Sequence, residues 1–406
     1  MNITFVILAG GVGKRFYPLT TDKTLFPLLG KTVLQHTLEM VERVGGKKVI
    51  VSTNAANQDW LSTYKSSLAI TTVRQPKPLG MGDALLQVEN KIGSEPTIVL
   101  NAADLVDDSL LEGLLNKTQD SYAVVVGKEM KDYFPGGYLE VDGNRATSVI
   151  EKPGKGNEPS SLVKLVFDYF SEPQTFLSLI KNAQTDNDDQ YEVALQQLMQ
   201  EEVVSFVSYS GTWQALKYSH MVLDWMDGLL SRIKPKIHPT AQIADSAVIE
   251  GNVHIAEGAK VFEHAVIKGP AYIGKNAIVA TGSLVRESCI EAGANTGFGS
   301  EIARSYVGPD CALHHNFVGD SILEAAVNPS YGTCFTNLRL DEKTVSVDYG
   351  DTQVDTGKQK MGAVVAKGIF SGVNCTFMPG VTVAEGAQIY PNQVINKAVL
   401  ATEKVK

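Results

Sequence analysis

Cysteine, long apolar runs and net positive charge are all scarce in this chain, and each shortage removes a class of protein. There are four cysteines in 406 residues, Cys289, Cys311, Cys334 and Cys375, all in the last third and none close to another. Structural zinc sites draw on tight pairs of ligands, so metal ligation by thiolates is not expected and buried free thiols are. No apolar run approaches the roughly 18 residues of a spanning helix, which argues against a membrane protein. The opening run Ile3-Thr4-Phe5-Val6-Ile7-Leu8 ends at Gly10-Gly11 without a basic leader, so a cytoplasmic location is expected. Lys and Arg number 36 against 45 Asp and Glu, a formal net charge of −9. A nucleic-acid partner is thereby disfavoured, and an anionic small molecule must meet cations placed locally.

What is present is ordinary in bulk, 44% hydrophobic and 20% charged, and too long for one core, so two domains are expected. Residues 1–230 alternate apolar runs with amphipathic stretches. Ile3–Leu8, Lys48–Ser52, Thr97–Leu100 and Tyr122–Val126 read as buried strands. Thr32–Val44 and Ser109–Leu115 read as helices, with apolar residues three and four apart. Such alternation predicts a largely parallel α/β sheet, with ligands gathered at the carboxyl ends of its strands. A helix-like stretch over 216–231 leads to Lys234-Pro235-Lys236, and the boundary is expected there: one domain over 1–232, a second over 237–400.

Beyond that boundary the pattern changes. Ile237, Ile243, Ile249, Ile255, Val261, Ile267, Ile273, Val279 and Val285 stand six apart. Four residues after each comes Ala241, Ala247, Val253, Ala259, Ala265, Ala271, Ala277, Ser283 and Cys289. The period returns at Val365, Ser371, Phe377, Val383, Ile389 and Ile395, with Ser371 alone off pattern. A six-residue period fits a triangular parallel β-helix: each hexad makes one face, three make a coil, and the aliphatic residue points inward. The ends need caps, and the lead helix and the tail Thr402–Lys406 are candidates. Residues 290–364 read as an irregular zone on this scaffold, where function tends to concentrate.

The first strand runs directly into Leu8-Ala9-Gly10-Gly11-Val12-Gly13-Lys14-Arg15-Phe16-Tyr17-Pro18-Leu19-Thr20. Glycines allow a tight turn that aims backbone N–H groups at phosphate oxygens, and Arg15 adds a fixed cation. The turn is neither a dinucleotide fingerprint, whose third glycine would fall at Phe16, nor a P-loop. Lys23-Thr24-Leu25-Phe26-Pro27 and Gly30-Lys31 follow. Together these segments resemble the sugar-1-phosphate nucleotidylyltransferase family. The resemblance implies that Gly10, Gly11 and Gly13 bind phosphate, and that Arg15 and Lys23 neutralise the triphosphate and the sugar phosphate. It implies that Gln75 and Gly80 read a pyrimidine base, hence UTP or dTTP, and that Asp104 binds Mg²⁺. Gly137, Glu151 and Lys152 would hold the sugar and its phosphate. The implied reaction is in-line attack of a sugar phosphate oxygen on the α-phosphate, which needs aligned cations rather than a protein nucleophile.

In the second domain, His314-His315-Asn316-Phe317-Val318-Gly319-Asp320-Ser321 is similar to a segment of the acetyltransferase domain in bifunctional N-acetylglucosamine-1-phosphate uridylyltransferases and their archaeal relatives. Gly332-Thr333 through Asn337 to Asp341, and Lys360-Met361-Gly362-Ala363, continue the match. The resemblance implies a left-handed β-helix of hexapeptide repeats after a Rossmann-like mixed sheet, and a homotrimer or larger homo-oligomer. It implies acetyl-CoA as co-substrate facing the Ala363 backbone, His314 as general base, and Asn337 and Lys343 on an amino-sugar phosphate.

Several positions depart from these patterns. Gln214 or Ala215 stands where the family carries a second metal-binding aspartate. Val166 replaces a glycine that leaves room for sugar, Phe317 replaces a tyrosine, and Tyr331 replaces a small residue in a tight pocket whose approach Pro329 stiffens. The plainer alternatives are a helix cap or turn for Asp104, a loop amide for Gln75, and a turn or core histidine for His314. His238, His254 and His264 are expected to be structural or surface residues. Two rival functions stay open: a single-activity transferase whose β-helix only trimerises, and a non-catalytic sugar-nucleotide sensor.

Overall fold

The structure is a computed structural model that describes residues 3–118 and 121–406. The chain forms two compact bodies, Met1–Val12 with Val33–Trp213, and Gly13–Thr32 with Gln214–Lys406. The second body thus includes α7 (Val222–Leu230) as well as the hexads, and it also claims a short segment from near the amino terminus.

The first body is built on a nine-stranded mixed sheet. Thr4–Leu8 lies between Lys48–Thr53 and Thr97–Asn101, parallel to both, and Ala69–Arg74 extends the parallel run. Every residue of Thr4–Leu8 is buried, as a strand covered on both faces requires. Helix α1 (Val33–Arg43) buries Val33, Leu34, Thr37, Leu38 and Val41, the stripe that its three- and four-residue spacing predicts. The parallel pattern holds for only half of the sheet. Leu162–Phe170 inserts antiparallel between Thr97–Asn101 and Ala123–Glu129, and the hairpin Gly137–Asp142 with Arg145–Glu151 forms the far edge. Leu162–Phe170 follows that hairpin in the chain and also touches its first strand antiparallel, Val163 opposite Tyr138.

In the second body, strands stack in parallel along three walls. Partners on neighbouring coils are 18 residues apart, as in Lys236 with His254 and Val253 with Ala271, so three hexads make one coil. Ile255, Ile267, Ile273 and Val279 are fully buried, and so are Ala259, Ala265, Ala271 and Ala277. The expected irregular zone is mostly regular. Spacing shrinks to 17 from Cys289 to Tyr306 and to 16 from Tyr306 to Ile322, yet the strands still pair. Residues lost at the corners break a six-residue count without breaking the backbone ladder. The true excursion lies between Cys334 and Thr376, whose spacing of 42 makes room for an insert carrying the hairpin Ser346–Asp348 with Gln353–Asp355.

The caps differ from expectation as well. Helix α7 packs on the coil wall at Tyr306–Val307 rather than over the first coil, where Ile237 stays 52% exposed. The tail pairs as a last rung, Lys404–Val405 on Gln388–Ile389. All four cysteines are free; Cys289, Cys311 and Cys375 are buried and Cys334 is half-buried.

Because each coil is supported only by its neighbours, truncating one inward residue should weaken the whole stack. Ile302 is fully buried. Ile302→Ala is expected to destabilise the β-helix by about 2–5 kcal/mol, read as a lower denaturant midpoint with an unchanged slope.

Candidate active site

The glycine turn of the first body leaves the sheet at the carboxyl end of its central strand. The Ala9 N–H donates to the Ser52 carbonyl and the Ala102 N–H to the Leu8 carbonyl, at 2.9 and 3.2 Å. Two asparagines hold the turn from the side. Asn57 Nδ2 donates to the Ala9 carbonyl at 2.7 Å, and Asn54 Nδ2 to the Gly11 carbonyl at 3.3 Å. The same two residues form a reciprocal capping box at the start of α2 (Ala55–Thr63). Gly10 has no room for a side chain, because a Cβ there would overlap Gln75 Oε1. Gln75 is 5% exposed and its Nε2 donates to the Gly80 carbonyl at 3.1 Å and to Asp83 Oδ2 at 2.6 Å. The structure therefore brings Gly10, Gln75 and Gly80 together, with Gly80 in the left-handed region at φ 98°. Gly11 is exposed with open space around its Cα.

Asp104 is buried, and Asn101 Nδ2 donates to its Oδ1 at 3.1 Å. Among the described residues no group of three or more His, Cys, Asp or Glu side chains is placed to hold a metal. One carboxylate still fits Mg²⁺, which keeps several waters and takes its other ligands from substrate phosphates. Gln214 is half-buried on the strand Trp213–Ala215.

The residues expected to hold sugar also meet. Gly137 pairs with Glu151 across the edge hairpin, and a Cβ on Gly137 would lie 3.2 Å from Glu151 Oε2. Lys152 Nζ is 2.7 Å from Glu151 Oε1. Beneath them lies a group of buried charges. Lys164 Nζ is 2.6 Å from Asp168 Oδ2, which also accepts from the Tyr191 hydroxyl at 2.6 Å. Burial pushes the Asp168 carboxyl above its ordinary range, against the pull of Lys164. Glu192, also buried, is raised to about 7, first by loss of water and then by the Glu151 charge. Val166 is half-buried and packs against the core.

Gly13, Arg15 and Lys23 lie on the segment that belongs to the second body. Gly13, at φ 63°, opens a 3₁₀ turn over Lys14–Phe16 that leaves Arg15 exposed. A second 3₁₀ turn, Lys23–Leu25, is capped by Asp22, whose Oδ1 accepts from the Thr24 N–H at 2.8 Å and the Thr24 hydroxyl at 2.6 Å. Lys23 is half-buried beside Gly13, whose Cβ, if present, would sit 3.4 Å from the Lys23 Cβ.

On the β-helix, His314 is exposed, and its turn is braced by buried Asn316. Asn316 Oδ1 accepts from the His314 N–H at 2.6 Å while its Nδ2 donates to the Ser330 and Thr333 carbonyls. Asn337 donates to Asp320, which is held by a bidentate pair with Arg304 at 2.7 and 2.8 Å. Lys343 is exposed. Ala363 is fully buried, its N–H donating to Ser321 Oγ at 3.1 Å and its carbonyl accepting from the Ile322 N–H at 2.9 Å. Tyr331 is 60% exposed and stacks on His315 at 5.2 Å. Phe317 is half-buried in a coil strand.

Residues 4–227 match the family model described as nucleotidyl transferase. The chain belongs to the nucleotidyl transferase family. It is 27% identical over 403 residues to a bifunctional sugar-1-phosphate nucleotidylyltransferase/acetyltransferase of Sulfurisphaera tokodaii, covering 97% of both chains. It is 29% identical over 411 residues to the bifunctional protein GlmU of Methanocaldococcus jannaschii, covering 97% of this chain and 95% of that one. Among solved structures it resembles UDP-glucose pyrophosphorylase complexed with UDP-glucose, with a TM-score of 0.51 and 18% identity over 57% of this chain and all of that one. That likeness concerns the fold alone. No helix among the described residues of this nucleotidyl transferase family member is long and apolar enough to cross a membrane.

Some site residues were not singled out from sequence. Asn54 and Asn57 carry a legible signal, an Asn-x-x-Asn at a helix start. Lys164 and Asp168 do too, since an even spacing in a strand puts both side chains on one face. Tyr191 and Glu192 have none, because only the packing of α6 (Gln190–Glu201) brings them there.

Glu192 makes a prediction about pH. With its native value raised to about 7 from 4.5, the folded chain binds more protons than the unfolded chain in that window. Stability should therefore fall as pH rises from about 4.5 to about 7. Glu192→Gln is expected to flatten this part of the curve and to exceed wild type in stability above pH 7, measured by chemical denaturation at pH 5 and pH 8.

Proposed function

We propose that the chain transfers a nucleotidyl group from UTP or dTTP to a sugar 1-phosphate, releasing pyrophosphate and forming a nucleotide sugar. The observation that carries this reading is the buried Gln75 amide, which packs against Gly10 of the phosphate turn and bonds to Gly80 of the base-reading segment. Full-length relatives named for this activity support the same reading.

In the proposed reaction a phosphate oxygen of the sugar 1-phosphate forms a bond to the α-phosphorus. The bond from that phosphorus to the bridging oxygen breaks, and the electron pair leaves with pyrophosphate. The backbone N–H groups at Gly10, Gly11 and Gly13 orient the phosphates, and Arg15 and Lys23 neutralise charge that grows on the leaving group. Glu151 binds sugar hydroxyls while Lys152 meets the sugar phosphate. Asp104 would hold Mg²⁺, which supplies further neutralisation of phosphate charge when bound.

A second activity, acetyl transfer from acetyl-CoA to an amino-sugar 1-phosphate, is assigned to residues 237–400, and nucleotidyl transfer to 1–232. The exposed His314 imidazole on a braced turn favours it, as does Asn337 held by Asp320. The amine attacks the thioester carbonyl, His314 takes the amine proton, and CoA leaves as thiol. Asn337 and Lys343 bind the acceptor phosphate; Ala363, fully buried with its N–H and carbonyl taken up by Ser321 and Ile322, offers no free backbone group to acetyl-CoA within one chain. Exposed Phe298, His315 and Tyr331, stacked on successive coils, support a homotrimer or larger homo-oligomer that covers them.

Pyrophosphate release is expected with Mg²⁺, UTP or dTTP and one member of a sugar 1-phosphate panel. Lys23→Ala should lower kcat/KM on the order of 100-fold or more, as removal of a transition-state charge partner does elsewhere. No release with any sugar would leave a sugar-nucleotide sensor. For the second activity, CoA thiol should appear with an amino-sugar 1-phosphate and fall on the order of 100-fold in His314→Ala. If no acceptor frees thiol, the β-helix serves assembly alone.

A further inference from the structure

The segment bearing Arg15 and Lys23 is fastened to the β-helix by two carboxylates on one wall. Glu291 and Glu324 follow the strands Cys289–Ile290 and Ile322–Leu323 on one wall, with Gly308 at the equivalent place on the coil between them. Their side chains point away from the coil interior, yet they are 1% and 2% exposed. The segment is what buries them.

Glu324 meets the beginning of the Lys23 stretch. Its Oε1 accepts from the Thr21 N–H at 2.8 Å and the Thr20 N–H at 3.1 Å; its Oε2 accepts from Thr20 at 3.2 Å and from the Lys367 N–H at 2.8 Å. Glu291 meets the end, accepting from the Gly30 N–H at 3.1 Å through Oε2 and from the Cys289 thiol at 3.2 Å through Oε1. Between the two clamps, Phe26 is fully buried, 5.0 Å from the Tyr306 ring and 5.5 Å from the Phe16 ring. A buried carboxylate without donors is costly, and here most of the donors are backbone N–H groups of the segment.

We propose that Glu324 and Glu291 are positioning residues for nucleotidyl transfer: they fix both ends of residues 20–30 and so hold Lys23 where the triphosphate requires it. This rests on the reading of Lys23 as a catalytic cation.

The test uses the full chain. Glu324→Gln and Glu291→Gln keep side-chain volume but turn an amide donor toward backbone donors; the alanine variants remove the clamp. Each is expected to lower the rate of pyrophosphate release by about 10- to 100-fold, the scale of a catalytic group displaced by about 1 Å. Hydrogen exchange should quicken at Thr20 and Thr21, or at Gly30, while Ile302 and Val318 in the coil interior keep wild-type protection. A double-mutant cycle separates positioning from general stability. In a Lys23→Ala background the Glu324 substitution should cost no further activity, whereas a purely structural role would add its full effect. Wild-type rates in both Gln variants, or a multiplicative loss in the double variant, would overturn the clamp while leaving the nucleotidyl-transfer reading intact. A wild-type chain that releases no pyrophosphate would sink that reading instead, and the exchange data would then report a clamp without a catalytic role. If an alanine variant does not fold, the Gln pair and the cycle still decide.

Discussion

A coil of a parallel β-helix pairs its backbone only with the coils on either side, and most of the second body follows from that constraint. The strands must stay in register from rung to rung even when a corner loses a residue, which is why spacings of 18, 17 and 16 coexist on one wall. Anything longer than a corner must leave the ladder altogether, as the insert between Cys334 and Thr376 does. The rungs also present a rigid outer surface. Tyr306, Glu291 and Glu324 lie on that surface, and the early segment Gly13–Thr32 lies against them.

The first body solves a different problem. The strand Thr4–Leu8 is buried along its length and releases the chain at its carboxyl end into the glycine turn. Gly10 allows the turn to approach Gln75 closely, and the Asn54–Asn57 capping box takes up carbonyls that would otherwise face inward. Gly11 is left exposed with open space around it, and a glycine turn of this kind can offer backbone donors to an anion even in a chain whose net charge is −9. The acidic balance is therefore no obstacle to an anionic substrate. Carboxylates such as Glu291 and Glu324 are occupied by internal donors, and Asp168 by Lys164 and Tyr191.

The six-residue period made the β-helix legible because every inward position repeats locally, and the glycine turn was legible because it follows a buried strand directly. Helix α1 and the strands near residues 4, 48, 97 and 123 fall within a few residues of where their patterns place them. The zone from 290 to 335 was not legible as coil, since a missing corner residue destroys the count but not the ladder.

Sequence alone thus determined the two architectures and the glycine turn after the first strand, because each is written in spacings of a few residues. Tertiary structure alone decided that Gly13–Thr32 joins the β-helix, that Glu291 and Glu324 are buried by it, and that Tyr191 and Glu192 stand near Lys164. The contacts that fasten the segment link residues 261 to 304 positions apart. At such separations no local periodicity connects the partners, and only the stacking of coils brings donor and acceptor together.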